Sequence, residues 1–213
     1  MTDKMESAYL KIKNNIINNT YKPSQRLIES QLSEEIGVSR NTIRQILLKL
    51  EREKLVVIEK NKGAYIKVLD LEEVLNILEI RELLEALIAK SAVDHITTDQ
   101  LDRLNEILSE MEQSIQEERY DDYSKGNRKF HDVIYKASKK PEAVELVKTF
   151  KTQLVRHQFR TVLVAGRNFN SFNEHTNIYN ALKNGDKKAV EEAIRIHISN
   201  VAKTIKDYYQ FLI

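Results

Sequence analysis

The stretch LSEEIGVSRNTIRQILLKLEREKLVVIEKNKGAYIKV, residues 32–68, decides the first half of the fold. A short helix from about Glu29 to Ile36 buries Leu32 and Ile36, and Gly37 supplies the permissive position that ends it. Ser39 is a natural N-cap for a second helix from Arg40 to about Lys54, with Ile43, Ile46, Leu47 and Leu50 at helical spacing on one face. Val56–Glu59 and Ala64–Val68 then read as two strands of a hairpin around a basic turn at Lys60–Gly63. Helix, turn, capped helix and basic hairpin is the order by which a winged helix-turn-helix places one helix in a DNA groove.

Upstream, Tyr9, Ile12, Ile16 and Ile17 make an apolar stripe within residues 6–19, which the Tyr21–Ser24 segment breaks because Pro23 pushes its predecessor out of the α region. Downstream, Asp70 with Glu73 resembles a capping box, and helices are expected over about 71–94, 98–117, 121–138, 141–165, 171–184 and 187–211. The expected fold is mostly α. A winged helix-turn-helix domain with a small β-hairpin wing (residues 1–69) precedes an all-α, six-helix antiparallel bundle (70–213).

Composition agrees. The 213 residues include 41% hydrophobic and 31% charged residues, five Gly and two Pro, which leaves little room for the turns of a sandwich or barrel. Of the 34 Lys/Arg and 32 Asp/Glu, the first 70 residues hold thirteen and nine, a net of +4, and the remainder carries a net of −2. A basic front end on a near-neutral body suits a polyanionic partner for the first domain only. The absence of Cys excludes disulfides and thiolate metal sites. No apolar run reaches the length of a membrane span and no signal-like segment opens the chain, so a soluble, cytoplasmic protein without a membrane partner is expected.

In a helix-turn-helix the second helix enters the major groove by its N-terminal end. Arg40, Asn41, Thr42 and Arg44 crowd that end; arginine can read guanine through two hydrogen bonds and Asn suits adenine. Ser39 and the free amides of the helix start suit a phosphate. Lys60, Lys62 and the compact Gly63 offer the wing to the adjacent backbone or minor groove. The competing reading is a structural three-helix unit with a solvated basic face, which the ordered set of elements disfavours.

This half of the chain resembles the GntR family. Leu27, Glu29, Leu32, Ser33, Ile36–Arg40, Thr42–Arg44, Leu47 and Leu50 follow the family pattern. The resemblance implies DNA contacts at Arg40, Asn41, Thr42, Arg44 and Gly63. Ser30 stands where some members place another DNA-contacting Arg, and Ser24 replaces the usual Gly after Pro23, so the operator does not carry over from a relative.

In the second half Asn127 and His131 are four apart on one helix face. His175 has Ile178 and Tyr179 at i+3 and i+4, and His197 shares its face with Ile194 and Val201, so all three histidines fall on stripes that face a helical core. Each taken alone fits a satisfied core residue. As a set, three imidazoles and the Asn127 oxygen could hold Zn²⁺, Ni²⁺ or Mn²⁺ with positions left for water or a carboxylate.

The segments EIRELLEALIA (79–89), NRKFHDVIY (127–135), EHTNIYNALKNGDKKAVEEAI (174–194) and RIHISN (195–200) resemble the all-helical FCD effector domain of the FadR branch of GntR regulators. Six helices rather than seven is similar to the VanR-like group. The resemblance implies metal ligands at Asn127, His131, His175 and His197, with Asn in place of the commoner Asp removing one negative charge. It also implies an effector carboxylate at Arg81. From the residues alone, Arg81 amid Ile77, Leu78, Leu84 and Ile88 either seeks an anion or pairs with Glu85 at i+4. Arg156 and Arg160 share a face and either clamp a second anionic group or are solvated; His95 and His157 receive no role.

The leading expectation is a homodimeric transcription regulator, commonly a repressor, whose affinity for a double-stranded DNA operator changes when a small carboxylate binds at the metal. A metal-dependent hydrolase domain fused to a DNA reader is the rival from another class. No further Glu, Asp or His is expected beside the ligands as a general base, which argues against an enzyme. A third reading keeps DNA binding and makes the metal a structural staple.

Overall fold

A computed structural model describes residues 3–212, apart from the side chains of 155–160. Arg156, His157 and Arg160 therefore lie outside the described side chains. The chain divides into two compact units, Met1–Asp70 and Leu71–Ile213.

The first unit opens with α1 (Asp3–Ile17), which buries Ala8, Tyr9, Ile12 and Ile16 along one stripe. It starts before the apolar stripe because Asp3 and Glu6 suit the positive end of a helix. The two-residue strand β1 (Arg26–Leu27) follows, then α2 (Glu29–Ile36). Gly37 at φ +77° terminates α2, its N–H bonding to the Ser33 carbonyl. In α3 (Arg40–Arg52), Ser39 Oγ accepts the Thr42 N–H at 3.1 Å, and the buried stripe is Ile43, Ile46, Leu47 and Leu50. The helix stops short of Lys54, which takes a left-handed φ of +58°.

Strands β2 (Val56–Glu59) and β3 (Gly63–Ile66) form the antiparallel wing, with Val56 opposite Ile66 and Glu59 opposite Gly63. The sheet has a third strand that the sequence does not announce: β1 pairs with β3, in the order β1-β3-β2, and sets Arg26 opposite Tyr65. Two residues carry no period that a pattern can reveal. Ser24, at the position where Gly is usual in the family pattern, adopts φ +58°.

The second unit comprises α4 (Leu71–Ala92), α5 (Thr98–Gln116), α6 (Tyr120–Ala137), α7 (Pro141–Thr161), α8 (Arg167–Lys183) and α9 (Lys187–Leu212). Thr97 and Gln100 cap α5 reciprocally. The break between α7 and α8 falls earlier than expected, and α8 begins at Arg167 rather than near residue 171. Arg167 forks onto Glu174 seven residues later at 3.0 and 3.3 Å, which draws the extra turn into the helix. Helix α4 packs against α6, α7 and α9, while α8 packs against α5 and α9. Phe130, Ile134, Leu78, Ile88, Leu104 and Met111 are among the fully buried side chains at their centre. No helix among the described residues is long and apolar enough to cross a membrane.

Candidate functional site

His131 from α6, His175 from α8 and His197 from α9 meet in the core of the second unit. All three are buried, and one ligand atom from each lies within 4.8 Å of the others. Hydrogen bonding at the outer ring nitrogens decides what the inner ones present. His175 Nδ1 stands 2.5 Å from the Ser171 carbonyl, which can only accept, so Nδ1 carries the proton and Nε2 a lone pair. His197 Nδ1 donates to Glu174 Oε2 at 2.6 Å by the same logic. Glu174 is anchored in turn by Arg167 and by Asn200 Nδ2 at 2.8 Å.

His175 Nε2 then faces Asn127 Oδ1 at 3.2 Å and His131 Nε2 at 3.3 Å. A bare ring nitrogen pointing at an amide oxygen brings two acceptors together, an arrangement that a cation between them relieves. Nitrogens bound to one ion at about 2.1 Å lie roughly 3.0–3.4 Å apart, which matches the His131–His175 separation. Burial lowers the pKa of all three imidazoles; the Lys151 charge adds to this at His131, the neighbouring His197 adds to it at His175, and Glu174 opposes it at His197. Each shift favours the neutral form that metals require. Phe130 packs edge-on against His175, with ring centroids 5.0 Å apart, and seals one side. The residues fit a divalent ion with imidazole and amide-oxygen ligands.

Beside the histidines lies a second buried cluster. Arg81 on α4 donates from Nε and Nη2 to Glu85 Oε1 at 2.9 and 2.6 Å, and Tyr135 Oη donates to Glu85 Oε2 at 2.5 Å. Lys151 Nζ and His131 Nδ1 each stand 3.6 Å from the same Oε2. Burial would raise the Glu85 pKa, but Lys151, Arg81 and the Tyr135 hydroxyl outweigh it and hold the carboxyl at about 2. Burial beside Arg81 brings the Lys151 ammonium down to about 8. Arg81 Nη1 and His131 Nδ1 are both buried without a hydrogen-bond partner.

The pair that Arg81 makes with Glu85 is the i+4 partnership weighed from the sequence, yet it leaves one guanidinium nitrogen available. The expectation that no carboxylate stands beside the ligands does not hold. Glu174 and Glu85 both do, brought in from α8 and α4, whereas Asp132 is exposed. Glu85 was visible only as the partner of Arg81, and Tyr135, Lys151, Arg167 and Asn200 had no signal in spacing. His95 is exposed, with Nδ1 2.9 Å from the Ser91 carbonyl.

In the first unit, Ser39, Arg40, Asn41 and Arg44 are exposed at the start of α3 and Thr42 is half-buried, its Oγ1 2.9 Å from Ser39 Oγ. Arg44 is not loose: Nε and Nη2 reach Glu29 on α2 at 3.1 and 2.8 Å. Lys62 is exposed at the wing tip and pairs with Glu59 at 2.9 Å. Gly63 has φ +103°, which disfavours a side chain, and the Arg26 guanidinium lies 3.4 Å from where a Cβ would stand. Arg26, exposed on β1, is a basic residue on this face that the sequence reading passed over.

The FCD domain model matches residues 76–200, more than half of the chain, and the model for bacterial regulatory proteins of the gntR family matches residues 4–66. The chain belongs to the GntR family and carries an FCD domain. Among GntR relatives, the HTH-type transcriptional repressor RspR of Escherichia coli (strain K12) is 23% identical over 205 residues, spanning 96% of this chain and 90% of that protein. The galactonate operon transcriptional repressor of the same organism is 23% identical over 227 residues, spanning 96% and 98%. The fold of E. coli McbR/YncC superposes with a TM-score of 0.77 at 21% identity, covering 98% of this chain and all of that one. Like these GntR relatives, the chain is a transcriptional regulator and not an enzyme.

Proposed function

We propose that this GntR regulator is a homodimeric repressor that binds operator DNA in the cytoplasm through residues 1–69 and senses a small carboxylate at a divalent-metal site within residues 70–213. The observation that carries the sensing half is the convergence of His131, His175 and His197 on one point, with the outer nitrogens of His175 and His197 tied down so that Nε2 faces inward. Asn127 supplies the fourth ligand. A divalent ion held by these four residues would supply a positive charge that attracts a carboxylate oxygen. Zn²⁺, Ni²⁺ and Mn²⁺ all suit nitrogen and oxygen ligands without thiolate.

Arg81 supports the carboxylate assignment through its buried, unpartnered Nη1, a donor in need of an acceptor. Two relatives are named repressors, one of them for an operon of a sugar acid, which supports both the sign and the chemical class. A homodimer is supported by Ile80, Leu83 and Leu87, exposed apolar residues at helical spacing on α4, and by exposed Ile196 on α9, the helix packed against α4. The carboxylate acts by binding more tightly to one of two DNA-affinity states, and shifts the operator equilibrium by no more than that difference.

Ser39, Arg40, Asn41, Thr42 and Arg44 read the major groove, and Lys62 and Gly63 of the wing contact the neighbouring backbone or minor groove. Elemental analysis of the purified chain against His131→Ala and His175→Ala tests the metal; equal content in folded wild-type and variants overturns it. Native mass spectrometry of the purified protein identifies the retained acid, which must then change DNA affinity when added back. Unchanged operator binding by the Arg40→Ala, Arg44→Ala double variant overturns the groove assignment.

A further inference from the structure

We infer that Glu29 is a positioning residue for base readout: its carboxylate grips one edge of the Arg44 guanidinium and presents the opposite edge to a guanine. The inference rests on the reading of α3 as the groove helix. Glu29 stands in the first turn of α2 and Arg44 in the second turn of α3, fifteen residues apart, and the two hydrogen bonds run side-on from Nε and Nη2.

A guanidinium carries five N–H donors in a plane. The side-on fork consumes the Nε proton and one Nη2 proton. What remains is the end-on edge, with protons on Nη1 and Nη2 set to bond the O6 and N7 of guanine together. Without the carboxylate, the Arg44 side chain must be ordered at the moment of binding; with it, the fork is already set.

A purely structural role explains the pair poorly. The Arg44 side chain is 62% exposed and that of Glu29 34%, and ion pairs so exposed contribute little to stability. A carboxylate on a face turned to a polyanion also weakens non-specific attraction, so its benefit has to come from orientation. The pair lines the cleft between α3 and the wing, with Arg26 and Gly63 across from it.

The test uses the full-length protein. A binding site is selected from random duplex DNA, and affinities are measured for that site and for every single-base variant of it. Wild-type, Glu29→Gln and Arg44→Ala proteins are compared, with melting curves as the folding control. Glu29→Gln should lose on the order of tenfold discrimination at one G·C pair, the same pair at which Arg44→Ala loses it. Its affinity for random duplex should stay level or rise, because a negative charge has gone. If Glu29→Gln keeps its base discrimination, or gains affinity for the selected site with discrimination intact, Glu29 merely masks Arg44 and the inference falls. If Arg44→Ala discriminates like wild-type at every pair, the groove assignment itself fails and Glu29 loses its role with it.

Discussion

His197 donates from Nδ1 to Glu174 at 2.6 Å, while the residue following Glu174 in the chain is His175 itself. One turn of α8 therefore contributes a candidate ligand and the carboxylate that orients another from α9. A carboxylate on the outer nitrogen fixes the tautomer and raises the basicity of the inner one. Glu174→Gln keeps an acceptor and removes the charge, so metal affinity should fall about 10- to 100-fold. Competition with a chromophoric chelator measures it, with far-UV circular dichroism confirming that the helices remain. Unaltered affinity would remove Glu174 from the site.

Glu85 contributes stability that depends on pH. Its carboxyl sits at about 2 in the fold against an ordinary 4.5, so the fold favours the ionised form. That contribution is complete above pH 4.5 and is lost as the pH falls through 2. Glu85→Gln strands Arg81 and Lys151 without their counter-charge and should cost about 3–5 kcal/mol at pH 7. Urea unfolding of the chelator-treated chain should show the gap between wild-type and variant narrowing by pH 3. A gap constant from pH 7 to pH 3 would contradict this account.

Gly126 on α6 permits a close approach by α5. A Cβ there would stand 2.6 Å from Met111 Cγ, and Met111 is fully buried, so its side chain can yield only into the core. Alanine improves helix propensity by up to about 1 kcal/mol, while overpacking costs about 1–3 kcal/mol. The steric effect should win, leaving Gly126→Ala less stable by on the order of 1 kcal/mol. A melting temperature equal to or above wild-type would show that Met111 gives way.

Leu83 is 56% exposed and Leu87 48% exposed on the same face of α4. In the proposed homodimer, replacing both with Glu would set like charges against each other across the two-fold interface. Sedimentation velocity should then show monomers at concentrations where wild-type sediments as a dimer, with the helical signal unchanged. A variant that remains dimeric would move the interface elsewhere.

Much of the local structure was legible because it depends on neighbours in the chain. Ser39 caps α3 and Gly37 ends α2 through contacts within a few residues, and the stripe Ile43, Ile46, Leu47, Leu50 follows from helical period alone. Asn127 and His131 share a face for the same reason. The strand β1 escaped because two residues have no period. The early start of α8 escaped because Arg167 answers to Glu174 through a side-chain bond rather than to any helix signal in the chain.

The residue types, the helical period that turns each histidine inward, and the two motif sets of a GntR regulator with an FCD domain can all be read along the chain. The meeting of His131, His175 and His197, the carboxylates of Glu85 and Glu174 beside them, and the grip of Glu29 on Arg44 come from packing. The cause is distance along the chain. Periodicity acts over four residues, whereas Glu174 and His197 are 23 residues apart, Asn127 and His175 are 48 apart, and Glu85 and Tyr135 are 50 apart, and only the packing of α4, α6, α8 and α9 brings them within hydrogen-bonding reach.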